Sequence, residues 1–581
     1  MAQSRYLFSF LLLTGTTAAG LIACGDNADP TDDVTADAAP TDTGTHTSDA
    51  SSSGDASSSG DGSTAQASAA AVTVYYGAAV KLDASSSTGP AALAYAWSFT
   101  SVPAGSALTA VSLTDATTAT PGFQPDRAGV YTLTVTVTGG GATATSPVTV
   151  TVVDPPVFFA KAESDGGSFT ATFNVVGAAF GDGGTPVSCV ARDAGGSYAG
   201  ELSEIGQMDS DWWEAPAGQP SKLVYAIGTR EDGGAHTSLL ASTSSSTCAS
   251  PPVTLDEVGT GNTRTTRAIE EPSLSPSGAR VAYLRTLPLG TTVATVGFDG
   301  SGRRDLAPYF AAADGTASPD ASTGSQTYVT RPTWLDESTV AWAQLKGTGS
   351  DWQIVSSTDA APGAAKVLMT CTGSQPRQIA KLPSGEMLVT ESPPASSTFP
   401  GAPNYASSAT RITAYTINPA TKACTSPRDL SKINNSSNAV FAKDFALSPD
   451  RSMVAFATVP DSGLATQIRV VKVDGTLVSS TSIGNGVGPR WVGGGAFLAW
   501  PASERTFDAS VASSGSVIAV SQVDGGGLHQ VTGATTGNTV VYAIGNGFCA
   551  MGRNYGSGVT FFGILGVAGL RLARRRKKNA R

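Results

Sequence analysis

The chain has 581 residues, 40% hydrophobic and only 14% charged, with 66 glycines; it is too long for one compact domain and has core enough for two or three. Its formal net charge is −10, and because the tail from Cys549 to Arg581 carries eight basic residues and no acid, the rest of the chain stands at −18. That balance opposes binding to nucleic-acid phosphates, and with only His46, His236 and His529 in the chain a His-rich metal centre is excluded by count.

Residues 1–23 contain Arg5, an apolar run through Leu13, and then Leu21-Ile22-Ala23 directly before Cys24. An apolar core closed by small residues reads as an export signal rather than a span. The LIAC stretch resembles the bacterial lipobox, and that resemblance implies lipidation of Cys24, which becomes the new N-terminus. The rival reading is an ordinary secretory signal cut near Ala18 to Ala23. Gly25 rather than Asp follows Cys24, which by resemblance to enterobacterial lipoproteins implies the outer membrane or cell surface. Residues 24–71 are Asp, Thr, Ser, Ala and Gly without periodicity, a composition that cannot bury enough apolar surface to offset its backbone entropy and predicts a disordered tether. His46 and the scattered Asp residues there have no spacing that fixes a ligand cage.

Residues 72–153 alternate with period two over Leu93 to Phe99, Val130 to Val137 and Pro147 to Val153, predicting a small immunoglobulin-like sandwich. The stretches LDASSSTGP, YAWSFTSVPAGSAL and TPGFQPDRAGVYTLTVTV resemble the PKD-type domain of bacterial surface proteins. The resemblance implies that Trp97 fills the core and that the Tyr131 hydroxyl ties a turn to the backbone. The acidic loop often found after the first strand is here Ser87-Thr88-Gly89-Pro90-Ala91, which argues against calcium there.

Asp154-Pro155-Pro156 breaks the strand pattern, and residues 154–204 form a connecting β segment that either adds a strand set or helps to close a ring built by the repeats beyond it; both readings stay open. In those repeats one pattern recurs: PSLSPSGARVAY from Pro272, PTWLDESTVAW from Pro332, IAKLPSGEMLV from Ile379, DFALSPDRSMVAF from Asp444 and PRWVGGGAFLAW from Pro489, with AGQPSKLVYA from Ala217 as a degenerate copy. Each copy enters a Pro, Gly, Ser or Asp turn and leaves on an apolar strand, which is one hairpin. With Val224, Ala282, Ala341, Val389, Ala455 and Ala499 taken as equivalent, the gaps are 58, 59, 48, 66 and 44 residues, room for a four-stranded blade each. Outer-half strands appear at Val293 to Gly300, Arg411 to Asn418, Ile468 to Gly475 and Val517 to Gly525. Residues 205–545 thus resemble the TolB-like or WD40-like six-bladed propellers, closed by pairing Gly537 to Ala543 with the other end of the repeat region. The fold class expected is all-β, a sandwich followed by a six-bladed propeller.

Chemistry is sparse. No G-x-S-x-G elbow is present, and no cofactor or metal is expected. Asp211, Glu214, Arg230, Glu231 and Asp232 cluster near the first copy beside Trp212-Trp213, and paired carboxylates are the one candidate for acid–base work. Cys189, Cys248, Cys371 and Cys424 are an even set in an exported chain, with Cys189–Cys248 and Cys371–Cys424 the sequence-local pairing among three. The reading is a non-enzymatic envelope lipoprotein binding protein or polysaccharide partners; the alternative is an exported hydrolase or lyase using carboxylates at the propeller mouth. Residues 546–581 hold Cys549, a twelve-residue apolar run from Val559 to Leu570 and a basic end. This resembles a myxobacterial-type C-terminal sorting tag, implying processing near Cys549. A plain stop-transfer helix is the rival, although the run is short against the roughly 20 residues a span needs.

Overall fold

The computed structural model describes residues 64–164, 169–177, 188–193, 210–231, 234–244, 252–259, 268–287, 290–306, 330–345, 351–360, 365–372, 375–392, 411–431, 440–458, 467–479, 482–486, 488–503, 516–531 and 539–543. The lipidation and sorting residues Cys24 and Cys549 lie outside them, as do Cys248, Asp232 and the apolar run of the tail. Among the described residues no helix is long and apolar enough to cross a membrane, and the one helical element is a 3-10 turn at Ala110–Ser112.

The sandwich forms as its alternation dictates. Ala94–Ser101, Gly129–Gly139 and Ala142–Val153 pair antiparallel, while Val72–Tyr75 joins the last of these in parallel. Val80–Lys81 and Gly122–Phe123 make a second, two-stranded sheet. Along Gly129–Gly139 the residues Tyr131, Leu133, Val135 and Val137 face inward and are fully buried, whereas Thr132, Thr134, Thr136 and Thr138 face out, as a pleated strand requires. Trp97 fills this core. The Tyr131 hydroxyl donates to the Arg127 carbonyl at 2.8 Å and accepts from the Arg127 N–H at 3.1 Å, the corner tie anticipated from the sequence.

Seven four-stranded sheets, not six, come after it among the described residues. Blades 2 to 7, in chain order, begin with inner strands Ser210–Trp213, Ile269–Leu274, Thr333–Trp334, Gln375–Lys381, Val440–Leu447 and Arg490–Val492. The extra sheet, blade 1, is composite. Thr539–Ala543 pairs antiparallel with Pro156–Ser164, which is followed by Phe169–Gly177 and Ser188–Asp193. The expected connecting segment 154–204 is therefore three strands of the ring, and the propeller starts at Pro156 rather than 205. The anticipated closure by the C-terminal strand does occur, with that strand as the inner one of blade 1.

The recurring Val-Ala-aromatic run reflects how blades stack. In blade 3, Val281 and Tyr283 point to blade 2, among Val224, Ala226 and Leu239, while Ala282 points to blade 4, where Trp334, Val340 and Trp342 fill the space its small side chain leaves. Large residues on one face and a small one on the other let neighbouring sheets interdigitate. Val224, Ala341, Ala455 and Ala499 occupy the Ala282 position, paired with Asp211, Thr333, Ala446 and Arg490 of their inner strands. Val389 does not: Met387 and Val389 face blade 4 and Leu388 faces blade 6. The residue in register there is Leu388, paired with Ala380 of the inner strand as Ala341 is with Thr333. In blades 4 and 5 the Leu335 and Leu382 N–H groups bond the carbonyls of Thr339 and Glu386, four residues on, whereas in blades 3 and 6 Ser275 and Ser448 bond Arg280 and Met453, five residues on.

Cys371 and Cys424 form a disulfide with Cα atoms 5.3 Å apart, joining the outer strands Lys366–Thr372 of blade 4 and Cys424–Asp429 of blade 5. The rims already touch there, the Thr370 N–H donating to the Lys422 carbonyl at 2.8 Å. Linking residues 53 apart removes unfolded-state entropy worth about 4 kcal/mol, of which about 2–4 kcal/mol is typically realised. Cys371→Ser is expected to lower unfolding free energy by that amount in denaturant titration, and reductant should do the same to the parent but not to the variant. Cys189 lies in blade 1's outer strand Ser188–Asp193.

Candidate functional site

An inner strand of a blade has a neighbour on one side only, so its other backbone edge needs partners. Side chains from adjacent blades supply them. Trp334 Nε1 donates to the Ser273 carbonyl at 3.0 Å and Trp491 Nε1 to the Ala446 carbonyl at 2.9 Å, repeat-equivalent bonds from one blade back to the one before. Gln378 bonds both the N–H and the carbonyl of Phe445, at 2.8 and 3.0 Å. Asp211 accepts from the Leu274 N–H at 2.9 Å and pairs with Arg331 at 3.2 Å, and Arg331 also donates to the Pro272 carbonyl at 3.1 Å. One acid and one base thereby tie blades 2, 3 and 4 around the ring's axis.

Of the carboxylates suspected around blade 2, Asp211 and Glu214 are thus not assembled as an acid pair. Asp211 is spent on Leu274 and Arg331, and Glu214 reaches the opposite way, to blade 7. Its oxygens accept from the N–H groups of Gly493 and Gly494 at 2.6 and 2.7 Å. Those glycines, with Gly495, take φ of +66°, +66° and +96°, a left-handed run that glycine adopts without strain and that aims successive N–H groups at one acceptor, an anion-holding nest. Burial pushes the Glu214 carboxyl up to about 7, against the two backbone donors, which pull it down. Of the tryptophans beside it, Trp212 packs on Phe158 of blade 1, ring centroids 5.4 Å apart. Trp213 donates to the Pro276 carbonyl and lies 5.3 Å from the Lys222 ammonium. The side chains of Arg230 and Glu231 lie outside what the structure describes.

The sandwich seats on this same place. The Tyr75 hydroxyl donates to the Ala215 carbonyl at 2.9 Å, and the Ala215 N–H donates to the Ser221 hydroxyl at 3.0 Å. Burial, then the nearby Glu214 charge, pushes the Tyr75 phenol up to about 12, so it remains a donor. Tyr76 stacks on Phe497 of blade 7 with centroids 5.9 Å apart and planes 13° from parallel. Gly77 sits at φ +90°, and a Cβ there would collide with the Phe497 ring. The chain then passes from the sandwich strand Ala142–Val153 into blade 1 through Asp154 and Pro155 alone. Sequence reasoning singled out Glu214 but missed its partners; the triple glycine at Gly493–Gly495 was the available signal.

A further buried acid is fully committed. Glu391 accepts from Arg411, from the Thr413 hydroxyl at 2.9 Å and from the Tyr415 hydroxyl at 2.8 Å. Asp256 accepts from Tyr283 at 2.7 Å and pairs with Arg285 at 2.9 Å, and Asp359 pairs with Arg280 at 2.6 Å. Among the described residues no group of three or more His, Cys, Asp or Glu could hold a metal ion.

These features define a PKD sandwich seated on a β-propeller. Residues 68–152 match a family model of the PKD domain. No curated protein matches the chain in sequence. Among solved structures it is similar in fold to TolB from Acinetobacter baumannii, at 10% identity and a TM-score of 0.36 over 68% of this chain and 82% of that one. It is also similar to the β-propeller domain of the Trilobed protease from Pyrococcus furiosus, at 7% identity and 0.35 over 56% and 84%. A third is oligogalacturonate lyase from Vibrio parahaemolyticus, at 9% identity and 0.34 over 57% and 86%.

Proposed function

We propose that the chain is a non-catalytic binding protein of a bacterial cell envelope, tethered through a lipid on Cys24 and presenting the PKD sandwich and the propeller as one rigid body to protein or polysaccharide partners. The observation that carries this reading is the use of the acids: Asp211, Glu214, Asp256 and Asp359 are engaged by partners on other blades, and Glu391 by partners within blade 5. Carboxylates committed in this way stiffen a platform; a hydrolytic pair has to face substrate across roughly 5 to 10 Å. The outer membrane is the proposed address, with processing near Cys549.

Purified full-length protein should bind isolated envelopes or their polysaccharide saturably and leave the bound polymer intact. Release of reducing ends or of an ultraviolet-absorbing unsaturated product would overturn this reading in favour of an exported hydrolase or lyase. In cells, Cys24→Ser should move the protein to the soluble fraction and remove labelled palmitate; label that persists in this variant contradicts the anchor.

A further inference from the structure

Blade 1 is where the ring closes without a chain connection between inner and second strand: Thr539–Ala543 reaches Ala160–Ser164 by strand pairing alone. Directly across that blade, Glu214 of blade 2 grips the Gly493-Gly494 turn of blade 7. The sandwich touches both flanks, through Tyr75 on Ala215 and Thr73 against Gly218 on the blade 2 side, and through Tyr76 and Gly77 on Phe497 on the blade 7 side. It also runs directly into blade 1, with Pro155 packed against Gly493. A body fixed to blades 7, 1 and 2 at once resists their separation.

We propose that the PKD sandwich is a strap holding the ring shut across its composite blade, and that protonation of Glu214 sets how tightly it holds. The groups facing Glu214 supply no cation to its carboxylate. From the sandwich comes Tyr75, held neutral; from blade 7 come only the glycine N–H groups. In blade 2, Asp211 is turned away and paired with Arg331, and Lys222 donates to the Gly278 carbonyl. Burial in the closed form raises the carboxyl from 4.5 to about 7, and a sandwich that lifts away would return it toward water. A group raised on closure stabilises the closed form fully below its ordinary value and loses that contribution as pH climbs through about 7.

Hydrogen exchange of Thr539–Ala543 in the full chain, expressed as protection relative to the intrinsic rate at each pH, tests this. Protection should fall about thirtyfold between about pH 5.5 and about pH 8.5, the interval that brackets the shifted group. Glu214→Gln, which cannot titrate but gives up one of the two acceptors facing the glycine N–H groups, should lose the pH slope whatever its level of protection. Gly77→Val, which drives the sandwich off Phe497 while leaving every propeller residue unchanged, should lower protection at both. Parent protection that does not change with pH, a Glu214→Gln variant with the parent's pH slope, or a Gly77→Val variant with parental protection would each overturn the strap.

Discussion

Deletion of Thr539–Ala543 is expected to convert the folded propeller into an aggregating species that melts well below the parent. The strand contributes five register pairs to Ala160–Ser164, on the order of five ladder hydrogen bonds at about 1 kcal/mol each. It also leans on the second and third strands of blade 7. Without it, Ala160–Ser164 becomes an exposed edge in a strand whose Val157 and Phe159 are buried with Val492, Phe497 and Ile518. An unpaired apolar edge is a template for pairing with another chain. Size-exclusion chromatography and thermal melting check the loss, and a synthetic peptide of residues 537–545 should restore part of the melting temperature by filling the vacant strand position. A truncated protein that stays monomeric with the parental melt would show that blade 1 does not close the ring.

The sequence made blades 2 to 7 legible because each carries its signal locally. A turn built from Pro, Gly, Ser or Asp sits between inner and second strand, and the apolar run after it must interdigitate with two neighbours. Blade 1 was illegible for a physical reason: its inner strand comes from the other end of the chain, so there is no turn between its first two strands to carry the signature. Phe169–Gly177 could be seen as a strand but not assigned a partner. In blade 5 the Ala282 position falls on Leu388 rather than Val389, because the turn spans four residues in blades 4 and 5 and five in blades 3 and 6, which spacing alone does not reveal. At the junction Glu214 stood out by charge, yet its partners Gly493 and Gly494 lie in a distant copy of the repeat. Asp211 and Arg331 likewise meet only once three blades are stacked, since neither has a periodic position that betrays the other.

Glu391→Ala should be among the most damaging single substitutions in the propeller, costing about 3–5 kcal/mol, the range for removing one partner of a buried ion pair. Glu391 is fully buried at the end of blade 5's second strand, Met387–Ser392, directly opposite Arg411 of the third. Its oxygen Oε1 takes hydrogen bonds from the Arg411 guanidinium, the Thr413 hydroxyl and the Tyr415 hydroxyl. Removing the carboxylate leaves the Arg411 charge and two hydroxyls facing a cavity, beside Trp352, whose ring lies 6.3 Å from that of Tyr415. Tyr415→Phe, which removes a single donor, should cost only about 1 kcal/mol, so the ratio of the two losses measures how much of the damage comes from the stranded charge. Burial, then the Glu391 charge, pushes the Tyr415 phenol above its ordinary value. Its contribution is therefore complete below about pH 10, the unfolded tyrosine value, and is lost as pH rises beyond it. Tyr415→Phe should flatten that alkaline limb, with Tyr75, Tyr131 and Tyr283, also raised, contributing to what remains. Urea titration of the parent and both variants at neutral and alkaline pH gives the comparison; a Glu391→Ala protein within about 1 kcal/mol of the parent would mean the site relaxes around the loss and the carboxylate is not the centre of the network.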